Sequence, residues 1–393
     1  IAMVVMMGAS LCAMAETSTR IRPITLDEAI TLARVQSVNA AVALNELKTA
    51  YWEYRTFQAN LLPEVNLSAT VPSYAKSYNS YQQSDGSYTF VRNNFMQMSG
   101  ALSIDQNIWL TGGTLSLNTS LDFMKQLDNT KDKRYMSVPI ALTLNQPIFG
   151  VNTFKWNRRI EPVRYAEAKA NFLSETEEVT MTTINYFFNL LLAKENVNIA
   201  KQNLENAEKL YEVAKAKRRM GQISENDVLQ LKLNMLNAQS TLTDYESSLK
   251  SNMFQLRSFL ALGENEELEP ILPDTLPSML VNYQDALEKA LANNSFAHNI
   301  RRRQLEADYE VAKAKGNLRQ ISLFAQVGFT GTDQTFKGAY DPLKDNQVVE
   351  VGFRIPLLDW GKRRGQVKVA QSNREVVQSR LRQEIMDFNQ NLF

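Results

Sequence analysis

Apolar residues along this chain recur with two different periods, and each period predicts a different element. From Val179 to Ala214 a 4-3 spacing passes through Leu190, Ala193, Val197, Ala200, Leu204, Ala207 and Tyr211, with Thr183 its one clear interruption. After the short turn Met220–Ser224 the rhythm resumes from Val228 through Leu231, Met235, Leu242, Leu249 and Leu256 to Phe259, and Asn252 is its polar member. A 3.5-residue repeat gathers these side chains into one seam, the requirement for coiled-coil packing. The alanines at every seventh residue, Ala193, Ala200, Ala207 and Ala214, let a neighbouring backbone come close. Residues 154–262 are therefore predicted to form a long antiparallel helical hairpin.

Elsewhere the period is two. Val65, Leu67, Ala69 and Val71 alternate with Asn66, Ser68 and Thr70. Similar runs follow at 95–109, 113–124 and 136–148, and later at 321–331 and 348–356. Such alternation marks strands with one apolar and one polar face. Gly112-Gly113 between two of the runs signals a hairpin turn. Runs this long are at the long end for soluble strands and suit a membrane barrel, where ~9–11 residues cross the bilayer. A soluble sandwich with one wet face is the competing reading. The Tyr-, Ser- and Asn-rich stretch 72–94 is expected to be a polar loop.

The remaining segments read as helices at 26–60, 283–318 and 361–393, with an acidic, Pro-bearing connector over 263–282. Two halves of the chain copy one another. Residues 29–33 align with 286–290, and Asn60-Leu61 with Asn317-Leu318, both at an offset of 257. Pro147 and Pro356 align at an offset of 209, so the first half holds 48 more residues, enough for one further strand hairpin. Two tandem repeats are expected, 16–262 and 283–393, with the second truncated before its own helical hairpin.

Residues 1–15, ending Ala13-Met14-Ala15, read as part of a signal peptide with an A-x-A cleavage site. Cys12 raises the alternative of lipidation, but Leu11 before it fits such a site poorly. Cleavage removes the only cysteine, and with it any disulfide or thiol nucleophile. The charges nearly cancel, 43 Lys and Arg against 42 Asp and Glu, so nucleic acid finds no electrostatic attraction.

Candidate chemistry is sparse. His298, the only histidine, has no cysteine or second histidine to complete a zinc-type metal site. No phosphate loop or nucleophile elbow occurs, so no catalytic or cofactor-binding residue is assigned and no enzyme is expected. At the hairpin turn, Gly221 suits a left-handed helix cap, and Ser224 with Asp227 makes a capping-box variant. Met220, Gln222 and Ile223 are less needed for the turn itself. Lys217–Arg219 and Arg301–Arg303 read as solvated helix faces. Trp156, with Arg158 and Arg159, and Trp360, with Lys362, Arg363 and Arg364, sit where strand passes to helix and suit a membrane interface.

Taken with these residues, the sequence over 24–393 resembles the outer membrane efflux protein family of TolC-like channels. The most specific marks are KRRMGQISENDVLQLKLNMLNAQ (217–239) and IPLLDWGKRRGQVKVAQSN (355–373). The resemblance implies an α+β membrane protein whose protomers form a homotrimer, together building a β-barrel in outer-membrane lipid and a helical tunnel in the periplasm. It also implies passive export without a cofactor, beside a periplasmic adaptor (membrane fusion protein) and an inner-membrane pump. Met220, Gly221, Gln222, Ile223, Ser224 and Asp227 match the family's adaptor-docking tip. A periplasmic coiled-coil adaptor or structural protein with a soluble β domain is the rival reading.

Overall fold

The structure is a computed structural model. It describes residues 20–127, 132–263, 266–272, 282, 284–285, 288–289, 295–318, 320–354 and 358–392. The expected signal peptide, most of residues 283–294, and residues 355–357 lie outside this set. Two compact units are present, the chain up to Leu47 with Ala170–Val281, and Lys48–Lys169 with Asn282–Phe393.

The first unit opens with strand β1 (Arg20–Ile24) and helix α1 (Leu26–Gln36). The Thr25 hydroxyl accepts from the Glu28 N–H and caps that helix. Sequence periodicity predicts one helix over 26–60. The chain instead breaks at Ser37, whose ψ of 146° is extended, and restarts as α2 (Val38–Ala59). Buried Ser37 accepts the Ala40 N–H through its hydroxyl, so the break carries its own cap.

Helix α3 (Thr153–Arg219) and helix α4 (Glu225–Phe259) form the hairpin, with α3 contributing to both units. Within the first unit the seam is buried at Val179, Leu190, Ala193, Val197, Ala200 and Ala214. Thr183, the interruption in the pattern, is fully buried, and its hydroxyl donates to the Val179 carbonyl at 2.7 Å, which satisfies it. The core joins Phe187, Leu190, Leu256 and Leu260 to Ile24, Ala29 and Ala33. Strand β6 (Glu266–Pro270) lies parallel to β1, pairing Arg20 with Glu266 and Ile24 with Pro270. The expected irregular connector 263–282 therefore contains a strand, and Leu268 from it enters the core. Nothing in its local sequence announces a partner about 245 residues away.

The second unit holds a six-stranded antiparallel sheet in the order β2-β3-β4-β5-β7-β8. The strands are β2 (Glu64–Gln82), β3 (Tyr88–Ile108), β4 (Gly113–Gln126), β5 (Lys133–Pro147), β7 (Gln320–Asp333) and β8 (Lys344–Arg354). The polar loop expected over 72–94 is corrected here. It is the paired outer portion of β2 and β3, turning at Asp85-Gly86, where Gly86 has φ +83° and Asp85 accepts the Ser87 N–H. Helices α5 (Ser295–Gly316) and α6 (Lys362–Leu392) pack together in the same unit.

In the six-stranded sheet two prolines, Pro72 and Pro139, sit within strands at bulges, one of the places where a ladder tolerates them. The β2–β3 register shifts between Thr70 and Ser73, around Pro72. Both partners of β5 shift around Pro139, between Ser137 and Ile140 on one side and opposite Asn118–Ser120 on the other. Each bulge admits one extra residue, and the extra residue switches which side chains face which way. In β2 the switch carries the apolar face from Val65, Leu67 and Ala69 to Tyr74 and Tyr78.

Candidate functional site

Followed through the strand register, one face of the sheet is apolar and the other polar. Leu67, Leu102, Thr119, Leu117, Leu142 and Val327 fall on the first, as do Ile104, Leu121, Phe329 and Val351. Opposite them stand Asn66, Ser103, Ser116, Asn118, Thr143 and Gln326. The apolar face is the uncovered one: Leu67 is 79% exposed, Val349 73% and Val327 54%. An exposed apolar surface of this extent on a soluble chain marks an interaction with lipid or protein. The lining of the polar face matches the lumen side of a barrel, where apolar-out and polar-in alternate.

Where these strands meet helices, a band of exposed apolar side chains collects: Leu62, Leu110, Ile148, Phe149, Leu358 and Trp360. Trp360, at 89%, is the most exposed large apolar residue among the described residues and holds φ +52° beside Gly361 at +83°. Asp359 fixes this turn, its carboxylate accepting the N–H groups of Gly361 and Arg363. Arg363 in turn donates to the Asn317 carbonyl at 3.0 Å, closing the end of α5, while Lys362 and Arg364 remain exposed. Trp156 is placed differently. It lies in the first turn of α3, partly buried, with its ring 5.9 Å from that of Tyr309 and the Arg159 guanidinium over it at 5.7 Å.

Sequence reading does not single out Trp109, yet Arg158 stacks over its ring at 4.1 Å. Trp109 lies in the turn that Asn152 binds, its amide donating to the Trp109 and Leu110 carbonyls while its carbonyl caps α3 through the Lys155 N–H. Gly112 in that turn has φ +81°, and Asn152 approaches within about 3.1 Å of where a Cβ stands, so both conformation and space require glycine. A turn residue 49 positions from its cationic partner leaves no local signal.

The arginine run 301–303 corrects a second expectation. Arg301 is exposed, but Arg302 donates through Nε and Nη2 to Glu167 of α3, a residue only 7% exposed, and through Nη1 to Glu306. Asn299 completes the Glu167 carboxylate at 2.8 Å. Arg303 reaches Glu384 of α6 at 2.6 Å, and Arg164 bridges Glu161 and Glu306. The two carboxylates hold the Arg302 guanidinium charged more firmly than usual. Glu161 is pushed above the ordinary glutamate range by burial, with Glu53 and Glu306 adding to the effect and Arg164 opposing it. This network ties α3, α5 and α6 together. Each charge has its partner, as buried charges require.

In the first unit, the hairpin tip is a hydrogen-bonded turn. The Gly221 N–H donates to the Arg218 carbonyl at 2.9 Å and the Gln222 N–H to Lys217 at 3.0 Å, the paired bonds of a Schellman motif, with Gly221 at φ +71°. Ser224 accepts the Asp227 N–H, and Asp227 accepts the Ser224 N–H, a reciprocal capping box that starts α4. Arg218 donates to the Ile223 carbonyl. The backbone of the turn is thus satisfied by Gly221, Ser224 and Asp227. Met220 and Gln222 are exposed and Ile223 is partly buried. Lys217, Arg218 and Arg219 face solvent. Among the described residues no group of three metal-ligating side chains gathers.

With this geometry in place, comparison with known proteins is informative. A family profile described as "Outer membrane efflux protein" matches residues 29–262, more than half of the chain. The fold is similar to the outer membrane channel CmeC of Campylobacter jejuni, at 16% identity and a TM-score of 0.63, covering 92% of this chain and 68% of that one. It is similar to CusC, described as forming a transmembrane channel, at 13% identity, a TM-score of 0.62, and coverage of 93% and 73%. The outer membrane protein VceC of Vibrio cholerae matches at 15% identity, a TM-score of 0.59, and coverage of 92% and 75%. No curated protein sequence matches the chain.

Proposed function

We propose, from the premise that this chain belongs to the outer membrane efflux protein family, that its sheet spans the membrane as one part of a shared barrel and its helices line a periplasmic conduit. The chain is a subunit of an outer-membrane efflux channel and resides in the outer membrane with a periplasmic extension. One observation carries the reading of the sheet: six long strands with an uncovered apolar face backed by a polar one. Six strands are too few to close a barrel around water, so copies must combine. The tandem-repeat organisation and the resemblance to TolC-like channels support three copies.

Export through such a conduit is passive, with energy from an inner-membrane pump and a periplasmic adaptor between the two. Met220, Gln222 and Ile223 are the docking residues in this reading, because the turn does not need their side chains. Trp360, Lys362 and Arg364 serve as interfacial anchors, where an amphipathic ring and long cationic stems are favourable. Trp156 contributes to that end of α3 by packing, and Arg363 by bonding the α5 terminus.

A sodium-carbonate wash of the membrane fraction tests the barrel reading. The protein is expected to stay with the membrane, and release into the wash instead favours the rival soluble β domain. Gln222→Glu and Ile223→Asp are expected to impair export while leaving the amount of protein in the outer membrane unchanged. Unimpaired export removes the tip from the docking role.

A further inference from the structure

Strands β2 to β5 sort their charges by sign between the two faces of the sheet. Their acids are Glu64, Asp105 and Asp122, and the register places each of them on the polar face. Of their cations, Lys76, Arg92, Lys125 and Lys133 fall on the apolar face. Arg134 alone takes the polar face, and it reaches Asp132. The four apolar-face cations gather at the end of the sheet remote from the helices, which join it at Glu64 and Pro147. Tyr74, Met96, Lys125 and Lys133 form one row of register partners across the four strands. Lys76 stands one step farther out on that face, and Arg92 a step beyond it. Leu121 and Phe123 precede Lys125 on the same face, so the cations begin where the apolar band ends.

This cluster carries an internal cost. Lys125 and Lys133 are direct partners across the β4–β5 ladder, where Cβ atoms stand ~4.5–5.5 Å apart and like charges repel. Neither of them, nor Lys76, forms an ion pair among the described residues. An anion held between the two lysines reverses that cost. A phosphate monoester carries about −1.5 to −2 charge and three acceptor oxygens, enough for both ammonium groups. Aromatic rings continue the same face. Tyr74 ends the row, and Tyr78, Tyr88 and Phe90 lie on the β2–β3 ribbon that runs on past the last β3–β4 pair, Phe95 with Gln126. All four rings are exposed. A tyrosine presents a flat apolar face and a hydroxyl, which suits a pyranose with C–H faces and a hydroxyl rim.

We propose that this patch binds the phosphorylated saccharide headgroup of an outer-leaflet glycolipid, with Lys125 and Lys133 on a phosphate and Tyr74 and Tyr78 against sugar. The proposal rests on the reading above that the apolar face meets lipid. Position selects the occupant. Lysine stems lie along apolar surface and set their charges at headgroup level, where anionic lipids attract them.

The test is urea unfolding of the full-length protein in vesicles of phosphatidylcholine alone, with added lipopolysaccharide, or with phosphatidylglycerol at matched charge. Lipopolysaccharide is expected to raise the wild-type midpoint, and phosphatidylglycerol to raise it less. Lys133→Gln is expected to raise the midpoint in phosphatidylcholine, by relieving the lysine pair, and to lower it when lipopolysaccharide is present. That change of sign separates a ligand contact from a structural role, which moves both midpoints alike. Arg134→Gln, on the other face, is expected to shift equally in both compositions. A shift of one sign for Lys133→Gln overturns the proposal. Equal stabilisation by phosphatidylglycerol also overturns it, since any anionic surface then suffices. If Lys133→Gln does not fold, Lys76→Gln is expected to lose part of the lipopolysaccharide stabilisation, and full retention overturns the site. Wild type that resists the carbonate wash yet gains nothing from lipopolysaccharide overturns the headgroup site and leaves the channel reading intact. Release by carbonate overturns the channel reading itself.

Discussion

The helical hairpin gathers its largest apolar side chains into a core, whereas the six-stranded sheet leaves an apolar face uncovered. In the hairpin unit, Phe187, Leu190, Leu256 and Leu260 are fully buried in a core, although Leu192, Ile199, Leu210 and Phe254 on the same hairpin stay exposed among polar neighbours. In the sheet, Leu67, Val327 and Val349 stand uncovered while Ser116, Asn118 and Thr143 occupy the opposite face. Water drives the first arrangement, since burying a large apolar side chain contributes about 1.5–3 kcal/mol. The second suits a face that meets lipid or protein rather than water. One chain thus follows two patterns of apolar burial, and Leu62, Phe149 and Trp360 stand exposed where the strands meet helices.

The hairpin side of this comparison is broken most severely at its core. Phe187→Ala is expected to cost about 3–5 kcal/mol, read as a fall in the urea midpoint of detergent-solubilised protein. The sheet side is sharpened by a pair of adjacent substitutions. Leu121→Arg, near the middle of β4, is expected to cost about 2–4 kcal/mol of folding into lipid vesicles, whereas Ser120→Arg next to it costs little. Equal effects at the two positions contradict the division of faces.

At the tip, Ser224→Ala removes one half of the capping box and is expected to cost about 1 kcal/mol in the same urea unfolding. The smallest effect is pH-dependent. Glu161 has a raised folded pKa, so the folded state holds its proton more firmly than the unfolded chain. The stability it contributes is present below the ordinary glutamate range and is lost as pH rises through its folded value. Comparing the pH dependence of unfolding with that of Glu161→Gln isolates this contribution, and parallel profiles contradict it.

Much of this was legible in the sequence because the governing signals are local and periodic. The seam from Val179 to Ala214, the alternation in β4, and the caps at Gly221 and Ser224 depend on neighbours within a few residues. The outer half of the β2–β3 hairpin was not legible. Tyr74, Tyr78, Tyr88 and Phe90 stand among polar residues, and the Pro72 bulge shifts the phase of Tyr74 and Tyr78 relative to Val65 and Leu67. The break at Ser37 was hidden because an N-capping serine inside a periodic helix reads as a polar face residue. Partners distant in sequence were invisible altogether: β1 with β6, Trp109 with Arg158, and Arg302 with Glu167 at a separation of 135. The arginine run looked solvated because its carboxylates come from other helices.

The central claim is that the sheet meets lipid on one face and water on the other. Single cysteines placed from Leu115 to Phe123 along β4, in a Cys12→Ser background, test it through labelling of protein in native outer membranes by a water-soluble maleimide. The account predicts a period of two, with Ser116, Asn118, Ser120 and Asp122 positions labelled and Leu115, Leu117, Leu121 and Phe123 positions protected. Uniform labelling along the strand contradicts it.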